Sequence, residues 1–270
     1  MKSKTLFYLI LLTFFASLIT AVHAQTFSVL HSFTGGIDGA GPWAGVTIRG
    51  NALYGTTYGT TYGSCGAVYQ LTRSGSNWLF STLAGLPLNC HPLARVVFGP
   101  DGHPYGTSPY GGKNDNGTVF KLTPQVGPCR DLRCLWTVTD LYDFGWGTDA
   151  QAPGVADLIW DQQDNIYGTT PGGGTSGNGT VYELTPSGNG YTESVLYSFS
   201  GSAGGDPQGG IVFDNKGNLF GTTAVGGSNG MGTVFELTYV VGVGWTDHVL
   251  YNFQGGSDGQ WPASALIFGQ

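Results

Sequence analysis

Short segments in which apolar and polar residues alternate recur along most of the chain. In the segment VLYSF at 195–199 every second residue is large and apolar, and similar segments stand at 29–33 and 249–253. Successive side chains of a β-strand point to opposite faces, so this period of two predicts strands with one buried face. We take this segment as the first strand of a repeating unit.

The second strand of the unit is predicted from a short, continuous apolar run. It reads GVTI, RVVF, DLIW, GIVF and, at 265–268, ALIF. Such a run predicts burial on both faces, as for a strand deep inside a stack of sheets. Turn sequences such as PDGHP (100–104) and DNKGN (214–218) follow it and lead into the next strand.

The third and fourth strands carry two motifs that each occur four times. The first motif is LYGTT (53–57), PYGTS (104–108), IYGTT (166–170) and LFGTT (219–223); the second is AVYQLT (67–72), TVFKLT (118–123), TVYELT (180–185) and TVFELT (233–238). Both motifs recur at spacings of 51, 62 and 53 residues, and an insertion at 124–134 explains the long interval. A repeat of this length indicates an array of similar units. The polar position of the fourth strand varies, which predicts an outer, partly solvated edge.

Four antiparallel strands in about 50 residues is the size of a propeller blade. The sequence therefore predicts an all-β, β-propeller-like array of four-stranded antiparallel blades, with a β-solenoid as the alternative. The predicted organisation is a signal peptide (1–24) and one repeat domain (25–270), with repeats at approximately 27–78, 79–138, 139–194 and 195–248 and a partial repeat at 249–270.

The count of strands predicts an open or incomplete array of about 4.5 repeats. The first two strand types occur five times, whereas the third and fourth occur four times. A closed propeller needs each strand type equally often. We therefore expect this sequence to belong to a longer repeat protein, with exposed strand edges if it stands alone.

The first 24 residues have the pattern of a signal peptide. Lys2 and Lys4 precede the apolar stretch 5–22, and Val-His-Ala ends the segment with small residues at the positions that signal peptidase reads. Cleavage would leave Gln25 at the N-terminus. The alternative is an uncleaved membrane anchor. A cleaved signal predicts a protein that is secreted or held in the cell envelope and is not embedded in a membrane.

Charge narrows the set of partners. The chain has ten basic and 17 acidic side chains, and without Lys2 and Lys4 its formal net charge changes from −7 to −9. Nucleic acids and anionic membranes bind clustered lysine and arginine, so neither is an expected partner. The 47 glycines suit short strands joined by tight turns.

The four cysteines predict two disulfides in an exported chain. We favour Cys129–Cys134, which closes the short loop CRDLRC, and this pairing leaves Cys65–Cys90. Other connectivities and a zinc site are the alternatives, although no pair of histidines lies near the cysteines to complete a zinc site.

Three longer motifs extend the repeated segments: GGSDGQWP (255–262), GNLFGTTAVGGSNGMGTVFELT (217–238) and NIYGTTPGGGTSGNGTVYELT (165–185). They resemble the GloVer (Gloeobacter–Verrucomicrobium) tandem-repeat family of exported bacterial proteins, and the resemblance covers nearly all of 27–268. It implies export and no particular biochemical activity. Two features depart from the pattern: the first repeat duplicates YGTT, and in the second LPLNCHP replaces the loop with Gly-Gly and Asp-Gly.

One aspartate per repeat stands in a glycine-rich loop: Asp38, Asp149, Asp206 and Asp258. A ring of carboxylates at one face of a propeller could bind Ca²⁺. The alternative is that each aspartate simply stabilises a turn. The dense carboxylate spacing of dedicated calcium loops is absent from the sequence, so no cofactor is predicted.

Three tryptophans lie in or beside the same loops: Trp43, Trp146 and Trp261. Aromatic side chains at loop tips can stack on sugar rings, which points to carbohydrate as a ligand. The alternative is that they pack between blades.

No catalytic pattern is evident in the sequence. The histidines at 31, 91, 103 and 248 stand at unrelated repeat positions, and neither a nucleophile motif nor a paired metal-binding motif occurs. We therefore predict an exported, non-enzymatic binding or cell-surface interaction module, with carbohydrate or another surface protein as partner. The alternative is a glycan-active hydrolase or lyase, because carboxylates from distant blades can form a catalytic pair.

Overall fold

The structure, a computed structural model, describes residues 27–59, 66–86, 91–125, 136–188 and 190–269. The chain divides into a unit of Met1–Ser32 and a unit of Phe33–Gln270. In the first unit the described residues 27–32 form no helix or strand. The predicted signal peptide and the four cysteines, Cys65, Cys90, Cys129 and Cys134, lie outside the described residues, so these remain predictions.

Within the described part of the larger unit, four sheets each contain four antiparallel strands, and we call them blades 1 to 4. Blade 1 consists of β1 Thr47–Arg49, β2 Ala52–Thr57, β3 Ala67–Ser74 and β4 Asn77–Gly85. Blade 2 consists of β5 Val97–Phe98, β6 Pro104–Ser108, β7 Thr118–Thr123 and β8 Thr137–Asp143. A two-stranded sheet pairs β9 Ala150–Gln151 with β12 Gly172–Gly173.

Blade 3 consists of β10 Ile159–Trp160, β11 Ile166–Thr170, β13 Thr180–Ser187 and β14 Gly190–Ser198. Blade 4 consists of β15 Val212–Phe213, β16 Leu219–Thr223, β17 Thr233–Val240 and β18 Gly244–Asn252. A short 3-10 helix, Gly256–Asp258, follows. In each blade the strands lie side by side in chain order. The prediction of an all-β, propeller-like array of four-stranded antiparallel blades is confirmed.

The order of strands within a blade differs from the predicted order. The segment at 195–199, predicted to begin a unit, ends the fourth strand of blade 3 and pairs with β13. The strands predicted as outer edges (β3, β7, β13 and β17) are third in their sheets and have neighbours on both sides. A short turn joins the third and fourth strands, as at Ser74–Asn77. Closing so short a loop costs little entropy, which favours this local pairing over the predicted one.

The short apolar runs form edge strands, so their predicted burial on both faces is wrong. The strands β5, β10 and β15 have two residues each, all only partly buried, and each pairs on one side. Deep burial is confined to the residue before each strand: Val96, Leu158 and Ile211. The runs at 29–33 and 265–268 form no strand.

A glycine faces an aromatic ring across the two central strands of every blade. The four pairs are Gly55–Tyr69, Gly106–Phe120, Gly168–Tyr182 and Gly221–Phe235. The ring covers the glycine so closely that a Cβ atom on Gly168 would lie 2.4 Å from the Tyr182 hydroxyl. These rings are at most 4% exposed. The glycine of the Tyr-Gly-Thr-Thr motif is therefore required by packing.

The covered rings also join neighbouring blades. A phenylalanine that follows a fourth strand meets the ring of the next blade edge-to-face, as in Phe144–Tyr182 and Phe199–Phe235, both with centroids 5.1 Å apart. An aromatic residue in the first strand of the next blade packs in the same way on the first aromatic residue of the Tyr-Gly-Thr-Thr motif: Phe98 on Tyr54, Trp160 on Tyr105 and Phe213 on Tyr167. This edge-to-face geometry is the favoured one for aromatic pairs. The apolar core therefore lies at the junctions between blades.

The first threonine of the motif links blades through a hydrogen bond. The Thr56 hydroxyl donates to the Ala94 carbonyl at 3.0 Å, and the Thr169 hydroxyl donates to the Gly209 carbonyl at 3.0 Å. The hydroxyl of Thr107, at the same position in blade 2, is buried without a hydrogen-bond partner among the described residues. The second threonine bonds within its blade, as in Thr170–Thr180 and Thr223–Thr233.

Gly168→Ala should destabilise the protein by about 1–3 kcal/mol, because the new methyl group would overpack the core against the Tyr182 ring. Gly85→Ala is the matched control, since Gly85 also lies in a strand and has open space around its Cα. Urea unfolding of both variants measures the difference. Equal midpoints would contradict the packing argument.

Thr169→Val should cost about 1 kcal/mol of unfolding free energy, because it removes the donor to the Gly209 carbonyl and leaves that buried acceptor unpaired. Thr107→Val should be neutral or stabilising, because it removes a buried hydroxyl that has no partner. Thermal unfolding of the two variants in parallel tests the contrast. If Thr107→Val lost more unfolding free energy than Thr169→Val, the blade junctions would not depend on the threonine hydrogen bond.

Candidate functional site

All seven residues singled out in the sequence lie at one end of the blades. Antiparallel strands alternate in direction, so the loop that enters a blade and the loop between its second and third strands are at the same end. We call this the loop end and the opposite one the turn end. The candidates on the loop end are Asp38, Trp43, Trp146, Asp149, Asp206, Asp258 and Trp261.

Three of the four aspartates hold the entry loops in shape. Asp38, Asp149 and Asp258 each accept a hydrogen bond from the backbone N–H of the residue four positions earlier, at 2.9, 2.5 and 2.7 Å. A charged carboxylate that accepts a backbone N–H makes a strong hydrogen bond. This is the turn-stabilising role that the sequence left as an alternative.

Asp149 also belongs to a small polar network. The Tyr142 hydroxyl lies 3.4 Å from the Asp149 carboxylate and 3.3 Å from Glu193, and Glu193 accepts the backbone N–H of Ala150 at 3.1 Å. Burial, and then the charge of Asp149, raise the pKa of Tyr142 to about 12. Both carboxylates are therefore engaged in fixing the loop that enters blade 3.

Asp206 occupies a different place from the other three aspartates. It immediately precedes Pro207, has a left-handed backbone with φ of 51°, and donates its N–H to the Asn178 carbonyl of the preceding blade at 2.8 Å. The structure therefore does not bring the four aspartates together as one equivalent ring. In the described ranges no three His, Cys, Asp or Glu side chains are grouped so as to hold a metal ion.

The three tryptophans are on the surface rather than packed between blades. Trp43, Trp146 and Trp261 are 76%, 72% and 61% exposed. They stand at three different positions of the entry loop, so they do not repeat one structural role. An exposed tryptophan contributes little to the core, and three on one end are a feature that folding does not explain.

Trp43 adjoins a group of aromatic residues that the sequence did not single out. Its ring lies 6.2 Å from that of Tyr58, Tyr58 stacks on His91 at 4.4 Å, and His91 meets Tyr110 edge-on at 6.1 Å. Tyr58, His91, Tyr110 and Asp115 line an open cleft of about 380 Å³. We call these four residues, with Trp43 at their border, the aromatic cleft.

Hydrogen bonds fix the polar groups of the aromatic cleft. His91 donates its backbone N–H to the Ser108 hydroxyl at 3.0 Å, and its Nδ1 lies 2.9 Å from the Tyr58 carbonyl. A carbonyl oxygen only accepts, so Nδ1 carries a proton, and in the neutral imidazole Nε2 then offers a lone pair. Asp115 accepts the N–H of Gly111 on Oδ1, and its Oδ2 has no partner among the described residues.

The aromatic cleft exists at one junction because the repeat is broken there. Tyr58, His91 and Tyr110 meet between blades 1 and 2. The equivalent residues are Pro109, Ala152 and Gly172 between blades 2 and 3, and Pro171, Asp206 and Val225 between blades 3 and 4. The two departures noted in the sequence, the duplicated YGTT and the LPLNCHP loop, supply Tyr58 and His91. These two departures from the repeat are the features of the sequence from which the site could have been predicted.

A second groove runs along β1 and β5, the first strands of blades 1 and 2, and has a volume of about 680 Å³. Its two cations are already paired. Arg49 donates to the Gly102 carbonyl at 2.6 Å and lies over the Phe98 ring, and Arg95 forms a 2.7 Å salt bridge with Asp157. These arginines therefore serve to join neighbouring blades.

Asp149→Ala should lower the unfolding free energy by about 1–2 kcal/mol, because the Gly145 N–H loses a charged acceptor. The loss should be the same in calcium and in EDTA if the carboxylate acts on the loop alone. Thermal unfolding of wild type and variant in both solutions makes the comparison. A calcium-dependent rise in the wild-type midpoint that disappears in the variant would instead assign these loops to metal binding.

Comparison with known proteins identifies the family. No curated protein matches the chain. A solved structure of a bifunctional GH43-CE protein from Bacteroides eggerthii is 16% identical with a TM-score of 0.42; the match covers 77% of this chain and 25% of that one, so the chain spans about a quarter of its length. The Gloeobacter/Verrucomicrobia repeat matches residues 89–270. That match covers more than half of the chain and includes blades 2 to 4, so this chain belongs to the Gloeobacter/Verrucomicrobia repeat family.

Proposed function

We propose that this chain is an exported, non-enzymatic binding protein that takes up carbohydrate at the loop end of its blades. The observation that carries the proposal is the set of exposed tryptophans, Trp43, Trp146 and Trp261, at 61–76% exposure on this end. An indole offers a large, rigid face at low cost in side-chain entropy. The C–H face of a pyranose ring stacks on such a surface, and its hydroxyls remain in water.

The state of three loop-end carboxylates supports binding without turnover. Hydrolysis of a glycosidic bond uses two carboxyl groups free to act as acid and as base or nucleophile. Asp38, Asp149 and Asp258 instead each accept a backbone N–H in their own loop. A glycan-active hydrolase or lyase is the alternative function, and it requires carboxylates other than these.

Export is part of the proposal and rests on the sequence. The segment 1–24 has the pattern of a signal peptide, with cleavage before Gln25, and the even number of cysteines suits an oxidising compartment. In the part of the chain that the structure describes, no helix is long and apolar enough to cross a membrane. The net negative charge makes nucleic acid an unfavourable partner.

Retention on immobilised polysaccharides tests the proposed function. Trp43→Ala, Trp146→Ala and Trp261→Ala should each weaken binding about fivefold, since one aromatic contact contributes about 1 kcal/mol. Tyr239→Ala is the control, because Tyr239 is 62% exposed at the turn end. The retained wild-type protein should not release reducing ends from the polysaccharide.

Two results would contradict the proposal in different ways. If the wild-type protein is retained on none of the polysaccharides, or if the triple tryptophan variant binds as the wild type does, the loop end is not a carbohydrate surface. If the wild-type protein releases soluble sugars during the assay, the enzyme alternative is the correct one.

A further inference from the structure

We propose that the aromatic cleft is the specific subsite of the loop end, and that it takes one non-acidic sugar ring, with an amino sugar preferred. This inference rests on the proposed carbohydrate-binding function. It adds a location, a stoichiometry and a selectivity for charge, none of which follows from exposed tryptophans alone.

The size and lining of the aromatic cleft fit a single sugar ring. Its volume of about 380 Å³ is at the lower end of the range for small-molecule sites. Tyr58 and Tyr110 are 38% and 50% exposed, so each has ring surface available for stacking. Trp43 continues the aromatic surface beyond Tyr58 and would support a neighbouring ring of an oligosaccharide.

Two acceptor atoms stand in the cleft beside the Tyr58 and Tyr110 hydroxyls, which can both donate and accept. Nε2 of His91 offers a lone pair because Nδ1 is paired with the Tyr58 carbonyl, and Oδ2 of Asp115 has no partner among the described residues. Sugar hydroxyls and ammonium groups can donate to such atoms. A uronic acid or sulfated sugar brings another negative group and meets repulsion from Asp115 in a chain of net charge −7. These contacts favour an amino-bearing ring over a neutral one, and a neutral ring over an acidic one.

A buried serine holds the aromatic cleft in a fixed geometry. Ser108 is fully buried; it accepts the backbone N–H of His91 at 3.0 Å and donates to the Tyr110 carbonyl at 2.9 Å. Ser108 takes the place of the second threonine in the Tyr-Gly-Thr-Thr motif, and its bond to the Tyr110 carbonyl has counterparts in blades 3 and 4, where Thr170 and Thr223 donate to the carbonyl two residues on. The bond from the His91 N–H differs from the equivalent junctions, where the corresponding N–H donates to an asparagine carbonyl. A site fixed before the ligand arrives loses less entropy on binding.

Only one junction in the described part of the chain combines these residues. The proposal therefore predicts one cleft site per chain, whereas the three tryptophans alone would predict several equivalent weak contacts. This difference separates the cleft from the general surface around it.

Isothermal titration calorimetry with three oligosaccharides of equal length, built from glucosamine, N-acetylglucosamine and glucuronic acid, tests the proposal. We expect one high-affinity site per chain and affinities that decrease in that order. Tyr110→Ala should lower the affinity for the first two about tenfold, and Tyr110→Phe, which keeps the ring, should restore it. Thermal unfolding of both variants checks that the fold is retained.

Asp115→Asn tests the charge selectivity. The variant should bind the glucosamine oligomer about two- to fivefold more weakly, as for loss of one exposed ion pair, and should discriminate less against the acidic oligomer. Asp164→Asn is the matched control, because Asp164 has the same left-handed backbone (φ of 63° against 56°) and lies at the turn end. It should leave all three affinities unchanged.

The outcomes separate this inference from the proposed function. If oligosaccharides bind and the tryptophan variants weaken them but the cleft variants do not, the inference is wrong and the proposed function stands. Tightest binding of the acidic oligomer, or several equal sites per chain, would also overturn the inference. If no oligosaccharide binds the wild-type protein, both are wrong.

Discussion

The close contact between a glycine and an aromatic ring in the centre of each blade is the constraint on which the rest of the structure depends. With Gly168 opposite Tyr182, the ring lies flat across the strand pair and is fully buried. A side chain at the glycine would push the ring outward into the space that Phe144 occupies from the preceding blade. Packing within a blade and packing between blades are therefore one arrangement. The threonine hydroxyls that donate to the next blade fix its register on this apolar contact.

Because the repeated residues pack and hydrogen-bond within the fold, the residues that are available for binding a ligand are those that do not repeat. The repeated glycines, aromatics, threonines and most of the loop aspartates have a structural partner in nearly every blade. Residues that break the repeat are not required for these repeated contacts. Tyr58, His91 and Tyr110 all depart from the repeat, and they meet at the junction of blades 1 and 2. In a uniform array, a cluster of departures is a stronger sign of function than any residue that recurs.

The sequence predicted most of the strands well and their neighbours less well, although the runs at 29–33 and 265–268, predicted as strands, form none. Alternation shows which side chains share a face of a strand, but it does not show which strand lies beside it. The segment at 195–199 was therefore recognised as a strand but assigned to the wrong blade, and β3, β7, β13 and β17 were taken as edges. The aspartates show a related difficulty. Asp206 looks equivalent to Asp149, yet its loop is one residue shorter between phenylalanine and proline, which places it at the strained position before Pro207.

Only part of the candidate site could be predicted from the sequence. Trp43 could be identified because an isolated tryptophan in a glycine-rich loop is conspicuous. Tyr58, His91 and Tyr110 come from segments up to about 50 residues apart, and the stacking of blade 2 on blade 1 is what brings them together. Their departures from the repeat were apparent, but their proximity was a property of the blade junction. Sequence comparison within the chain therefore located the irregular positions, and the fold showed that they form one cleft.

We propose that the broken repeat, and not the repeated motifs, carries the function. The sharpest test is mapping of backbone amide chemical shifts by NMR during titration with a glucosamine oligomer. We expect saturable shifts concentrated at Tyr58, His91, Tyr110 and Asp115, with smaller shifts beside Trp43 and none at the turn end. Shifts spread equally over the entry loops of all blades, or centred on the loops of Asp38, Asp149 and Asp258, would contradict it.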